Sequence, residues 1–184
     1  MHTMKRNSIQ FSRQGPRVMS IIKLQNIYFK PGIIELVSIR PRRLNPVTIL
    51  EKVMALENMG LEGDHYDNSG GDRQVTLIQA EHLEIMASML DLTHISPALT
   101  RRNLVIRGIN LLSLKGKQFS AGAAILEFTG ECHPCSRMEK SLGVGAYNAM
   151  RGHGGVTAKV VQSGIIKVGD SVHVLQPIKN FKTH

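Results

Sequence analysis

The chain has 184 residues, 42% of them hydrophobic, which suits one domain with a sizeable core and short tails. No run of about 18 apolar residues occurs, so no membrane span is expected, and two Cys cannot build a disulfide scaffold. The formal charge is +9, but Lys5, Arg6, Arg13 and Arg17 carry close to half of that excess near the N-terminus, well before the first acidic residue, Glu35.

Met1 to Ser20 is acid-free and Arg-bearing, as a transit peptide would be, yet it has no apolar run of the signal-peptide kind. The expected reading is a flexible basic extension over 1–20, a folded domain over 21–177 and a basic tail over 178–184. Ile33 to Ile39 is apolar and β-branched, and reads as a strand. Pro41 and Pro46 bracket a basic loop, Arg40-Pro41-Arg42-Arg43. Gly60 to Arg73 reads as a long polar loop and Gln74 to Ile78 as a strand. Glu81 to Leu90 sets Leu83, Met86, Met89 and Leu90 on one face of a predicted helix.

Beyond that point the pattern is β. Strands are predicted over 104–106, 123–129, 156–162, 165–168 and 171–175, joined by turn signals such as Ser163-Gly164 and Gly169-Asp170. Arg137 to Gly155 is glycine-rich and reads as a loop with one short helix. Short strands linked by glycine turns predict a mainly β fold, a small closed barrel with a few peripheral helices.

The chemistry centres on Glu131-Cys132-His133-Pro134-Cys135-Ser136-Arg137, which holds both cysteines. A thiolate attacks electrophiles and binds soft metals, and nearby cations favour it. The pair alone leaves several roles open. Structural zinc needs four ligands, and no His has the paired spacing to complete a set. A redox dithiol wants a strand before it and a helix after it. Two ordinary thiols are the plain alternative. A lone CxxC fits a reducing, cytoplasmic setting better than a secreted one.

Three other segments draw attention. Arg101-Arg102-Asn103 precedes a strand and could hold an oxyanion or phosphate, or be a solvated turn. Glu62, Asp64 and His65 sit densely in the polar loop that ends at Arg73, without EF-hand spacing. Tyr147 to Gly155, with Asn148, Arg151 and His153, has a phosphate-loop flavour but not the P-loop order.

Taken in order, these pieces resemble the MOSC domain, the module at the C-terminal end of molybdenum-cofactor sulfurases and in stand-alone bacterial proteins. The match runs through Gly60-Leu61-Glu62-Gly63-Asp64, Arg73-Gln74-Val75-Thr76-Leu77-Ile78 with Glu81, and Arg102-Asn103-Leu104-Val105. It continues through Gly108-Ile109-Asn110-Leu111, Cys132-His133-Pro134-Cys135, Gly155-Val156-Thr157-Ala158 and Gly169-Asp170. It covers roughly Ile33 to Leu175. The resemblance implies a barrel-centred β fold and one reactive cysteine, the one after proline, which is Cys135 here. In the family that cysteine is taken to carry sulfur or to ligate molybdenum.

In related mitochondrial amidoxime-reducing proteins, an Arg-x-Asn before a strand helps hold the cofactor, which implies that role for Arg101 and Asn103. Arg102 and Arg137 join them as cofactor-binding candidates. Cys132, His133, Glu62, Asp64, Arg73, Asn148, Arg151 and His153 are secondary ones.

The resemblance thus implies the molybdenum cofactor (molybdopterin), a small N-hydroxylated substrate and an electron-donor protein, since the chain shows no flavin or Fe–S motif. The other implied activity is a sulfur carrier, with Cys135 receiving a persulfide from a cysteine sulfurase and Cys132 resolving it. Pyridoxal phosphate would then belong to that partner. Departures are His65, where many relatives have Arg, and the missing N-terminal barrel-like domain of the amidoxime-reducing proteins. Nucleic acid is not an expected partner, since five Phe, three Tyr and no Trp offer little for base stacking.

Overall fold

The structure, a computed structural model, describes residues 20–43, 45–66 and 70–177. Apart from Ser20, the expected tails lie outside the described residues. In chain order the elements are α1 (Ile21–Leu24), β1 (Gly32–Ile39), β2 (Thr48–Leu50), β3 (Lys52–Leu56), β4 (Gly60–Leu61) and β5 (Val75–Gln79). Then come α2 (Ala80–Met89), α3 (Pro97–Thr100), β6 (Leu104–Arg107), β7 (Lys117–Ala121) and β8 (Ala124–Glu131). The series ends with α4 (Ser136–Leu142), α5 (Ala146–Ala149), β9 (Val156–Gln162), β10 (Gly164–Lys167) and β11 (Ser171–Pro177).

Seven strands close on themselves in the order β1-β6-β5-β9-β8-β7-β11, and β11 returns to β1 through Gly32 opposite Val172. Closure leaves no unpaired edge around the ring, which is how a small all-β domain avoids an exposed hydrogen-bonding rim. β5 and β6 run parallel, with Leu77 opposite Leu104, and α2 and α3 form the crossover between them. β2 extends the sheet beside β1, and β10, β3 and β4 make a separate three-stranded sheet.

Period-2 alternation sets the core. Ala124, Leu126 and Phe128 of β8 and Val156, Ala158 and Val160 of β9 point inward with Ile34, Leu77, Leu104 and Phe119. β5 is buried on both faces: Val75 and Leu77 enter the barrel, while Ile78 turns outward beneath α2. That second core holds Leu83, Met86, Val105, Met138 and Met150. Each such side chain contributes on the order of 2 kcal/mol by leaving water.

All predicted strands are present, and three expectations need correcting. Met89 is 60% exposed, because the buried stripe of α2 runs through Ala80, Leu83, Met86 and Ala87 and the 100° step carries Met89 off it. The segment after Cys135 holds two helices, α4 and α5, in place of a loop with one. Gly143 and Gly145, both at positive φ, turn the chain between them. The loop from Gly60 to Arg73 begins as a strand, with Gly60 and Leu61 buried against β3.

Candidate functional site

One rim of the barrel gathers the chemistry. Arg40 follows the end of β1, and Asp64 and His65 follow β4. Arg73 precedes β5, Arg102 and Asn103 precede β6, and His133 and Cys135 follow β8. A register shift between Phe128 and Gly130 interrupts the β8–β9 ladder just before the cysteine loop. The segments enclose a cavity of about 460 Å³.

Asn103 is the rim's internal fastener. Its Oδ1 accepts from the Thr76 main-chain N–H at 3.0 Å and the Thr76 hydroxyl at 2.7 Å. Its Nδ2 donates to the Ser38 carbonyl at 3.2 Å and to Asp64 Oδ1 at 3.4 Å. Both amide protons are thus engaged, and β1, β5 and β6 are tied together at the cavity floor. Asp64, its side chain 1% exposed, also accepts from the Arg40 main-chain N–H at 2.6 Å.

Among the described residues five arginines line the cavity, and Asp64 is the only carboxylate lining it. Arg102 is 6% exposed and braces the rim: Nε donates to Gly154 O at 2.8 Å, Nη1 to Thr100 O at 2.9 Å and Nη2 to Cys132 O at 3.3 Å. Burial lowers its pKa, with Cys132 nearby acting the other way. Burial likewise lowers Arg40, opposed by Asp64, with Arg101 and Arg73 adding to the fall. Guanidiniums stay protonated in proteins, so this crowding is a standing positive field. Arg43, Arg73 and Arg137 have no ion pair with a described residue.

The two thiols differ. Cys135 is exposed on the cavity wall at the N-cap of α4. Cys132 is 1% exposed, and its Sγ accepts a hydrogen bond from Arg73 Nη2 at 3.0 Å. The strand–CxxC–helix order that a redox dithiol wants is present, as β8, the cysteine loop and α4. Among the described residues no group of three or more His, Cys, Asp or Glu could hold a metal ion. A metal here would depend on the thiol and on ligands of its own.

A sequence profile of the MOSC domain matches residues 63–173. The chain belongs to the MOSC domain family. Among solved structures, the YuaD protein of Bacillus subtilis superposes with a TM-score of 0.69 at 20% identity, covering 80% of this chain and 98% of that one. YiiM of Geobacillus stearothermophilus gives 0.65 at 16% identity, covering 79% and 76%. YiiM of Escherichia coli gives 0.64 at 18%, covering 82% and 72%. At these identities the likeness shows the fold. No curated protein matches the sequence.

The MOSC rim brings together Asp64, Arg73, Arg102, Asn103, His133, Cys135 and Arg137, with Cys132 packed behind. Other candidates lie elsewhere. Arg101, at φ 58, donates from Nη1 to Asn45 O at 3.0 Å and from Nη2 to Arg43 O at 2.9 Å, pinning the loop that carries Arg43. Glu62 is exposed beside Leu50, Val53 and Ile165, outside the cavity.

Asn148 and Arg151 are exposed on and after α5, and His153 packs edge-to-face on His82 with centroids 4.7 Å apart. Their glycine segment is a packing device: a Cβ on Gly154 would overlap the Cys132 carbonyl, and one on Gly155 the Leu77 carbonyl. Arg40 and Arg43 line the site, although the sequence reading took them only for a basic loop. Three arginines within four residues were the available signal.

Proposed function

We propose that this MOSC barrel binds the molybdenum cofactor and uses it to reduce N-hydroxylated bases or amidoximes. One observation carries the reading: an exposed thiol, Cys135, on the wall of a cavity ringed by Arg40, Arg43, Arg73, Arg102 and Arg137. The donor set fits the group. A thiolate is a soft ligand suited to molybdenum, and unpaired guanidinium forks suit a phosphate monoester. Cys135 would ligate the metal. Arg43, Arg73 and Arg137 would hold the phosphate, and Arg102 would add charge while bracing the rim. The bound cofactor supplies two-electron oxygen removal. The net change takes R–NH–OH, two electrons and two protons to R–NH2 and water, with the electrons arriving from a donor protein.

A second reading has its own support in the Arg73–Cys132 contact. Arg73 Nη2 donates to the buried Cys132 sulfur at 3.0 Å, which sets a cation beside the second thiol of the pair. Cys135 would then accept a sulfane sulfur from a pyridoxal-phosphate-dependent cysteine sulfurase, and Cys132 would release it through a disulfide. A reducing cytoplasm suits either role. No helix among the described residues is long and apolar enough to cross a membrane.

The test is turnover. Protein produced in a host that makes the cofactor, reduced by viologen radical, should convert a hydroxylamine or amidoxime to the amine or amidine. Cys135→Ser should abolish this and Cys132→Ser should retain most of it. Absence of turnover in wild type, together with a persulfide on Cys135, would favour the carrier.

A further inference from the structure

His65 and Asp64 form a pair that the cofactor reading leaves unused. His65 Nδ1 is buried and lies 3.4 Å from Asp64 Oδ2, within ion-pair range, and neither atom has a hydrogen-bond partner among the described residues. The Asp64 side chain is 1% exposed, whereas a quarter of the His65 side chain remains open and lines the cavity that holds Cys135. The carboxylate is fixed from behind, by the Arg40 main-chain N–H at 2.6 Å and by Asn103 Nδ2 at 3.4 Å, both on Oδ1. Oδ2 faces the imidazole and, at the longer distance of 3.9 Å, the Arg40 guanidinium. A carboxylate facing one ring nitrogen fixes the tautomer and leaves the other nitrogen to exchange a proton with a bound molecule.

We propose that His65, oriented by Asp64, is the general acid of this site, delivering a proton from Nε2 to the oxygen that leaves the substrate. The identity of that substrate rests on the cofactor reading; the pairing itself does not. The N–O bond of R–NH–OH breaks, His65 Nε2–H passes its proton to the departing oxygen to complete water, and a second proton from solvent reaches nitrogen. The donor protein's two electrons end as the pair of the new N–H bond, and nitrogen keeps its own lone pair. His65 is then reprotonated from water, and Asp64 stabilises the imidazolium between turnovers. Among the described residues, His133, Tyr66 and Cys135 are the other cavity-lining groups that can exchange protons, apart from Asp64 itself. The arginines stay charged and cannot serve as the acid.

The experiment has two arms. In the first, the 15N chemical shifts of the ring nitrogens are recorded on full-length protein, wild type and Asp64→Asn. Protonation of neutral His65 on Nδ1 in wild type, lost in Asp64→Asn, is the expected result. The Nε2–H tautomer in wild type would overturn the proposal whether or not the protein carries molybdenum. In the second arm, His65→Gln is assayed after cofactor loading. The kcat should fall about 10²-fold, the scale of general-acid catalysis, with KM and molybdenum content unchanged. Imidazole should restore turnover to His65→Ala, which a merely structural histidine would not show. Unchanged kcat, or loss of molybdenum along with activity, would remove His65 from the role. A wild type without molybdenum would defeat the cofactor reading and leave the tautomer arm to decide the pairing.

Discussion

Two arginines in the same rim do different work, and substitution should separate them. Arg102 is buried and donates to three main-chain carbonyls that belong to three segments. Arg102→Met should cost about 3 kcal/mol in urea unfolding, since it strands buried carbonyls. Arg73 is exposed, and its side chain makes one hydrogen bond among the described residues, to Cys132 Sγ. Arg73→Gln should leave stability within about 1 kcal/mol of wild type while lowering cofactor content. If both variants unfolded alike, the division between brace and ligand would fail.

At this scale the sequence was informative about types and poor about directions. Cys135, Arg73 and Arg137 line the cavity because each sits near a strand or helix end that the barrel fixes. Arg101 and Arg102 are adjacent and look equivalent in sequence. The left-handed turn at Arg101 sends one outward to the Arg43 loop and the other inward. Neighbouring residues in the chain carry no signal that distinguishes those two fates.

Among the elements, α4 carries Cys135 at its N-cap and is held to α5 by Glu139. The carboxylate accepts from the Tyr147 and Gly145 main-chain N–H groups, both at 2.7 Å. Those two bonds, Tyr147 first, hold Glu139 below the usual carboxylate range. The sign follows: a carboxyl depressed in the folded state stabilises above its ordinary pKa, and that contribution is lost as pH falls through the lower folded value. Glu139→Gln should therefore lower Tm at pH 7 and flatten its decline in the acid range. An unchanged Tm–pH curve would contradict the cap.

Gly155 belongs to the same scale. Its φ is +89 and a Cβ would meet the Leu77 carbonyl. Gly155→Ala should cost at least about 2–3 kcal/mol from strain and clash, measured by chemical denaturation.

Strands with β-branched runs, such as β1, β5 and β9, were legible. β7 was not, because Lys117-Gln118-Phe119-Ser120-Ala121 holds a single strong strand former. It is a strand because the ring needs a partner between β8 and β11 and because Phe119 fills the barrel. That requirement comes from the closed topology and is absent from any local window. β3 is hidden for a related reason: it pairs with β10, more than 100 residues later.

For the molecule as a whole, the barrel is the frame that makes the rim rigid. Phe119 is fully buried within it, and Phe119→Ala should cost about 3–5 kcal/mol. The fold class was readable from turn spacing and strand patterning, whereas the cavity was not, since its lining comes from segments spread from Arg40 to Met138. The +9 charge divides between that cavity and the basic N-terminal stretch. Deleting residues 1–18 should abolish any salt-sensitive association with nucleic acid and leave cofactor content as it was. Loss of cofactor on that deletion would mean that the rim is not the whole site.

The most direct measurement is molybdenum per protein by elemental analysis, on untagged wild type and Cys135→Ser produced in a host that makes the cofactor. The account predicts near-stoichiometric molybdenum in wild type and its loss in the variant. No molybdenum in wild type, or equal molybdenum in both, would contradict it.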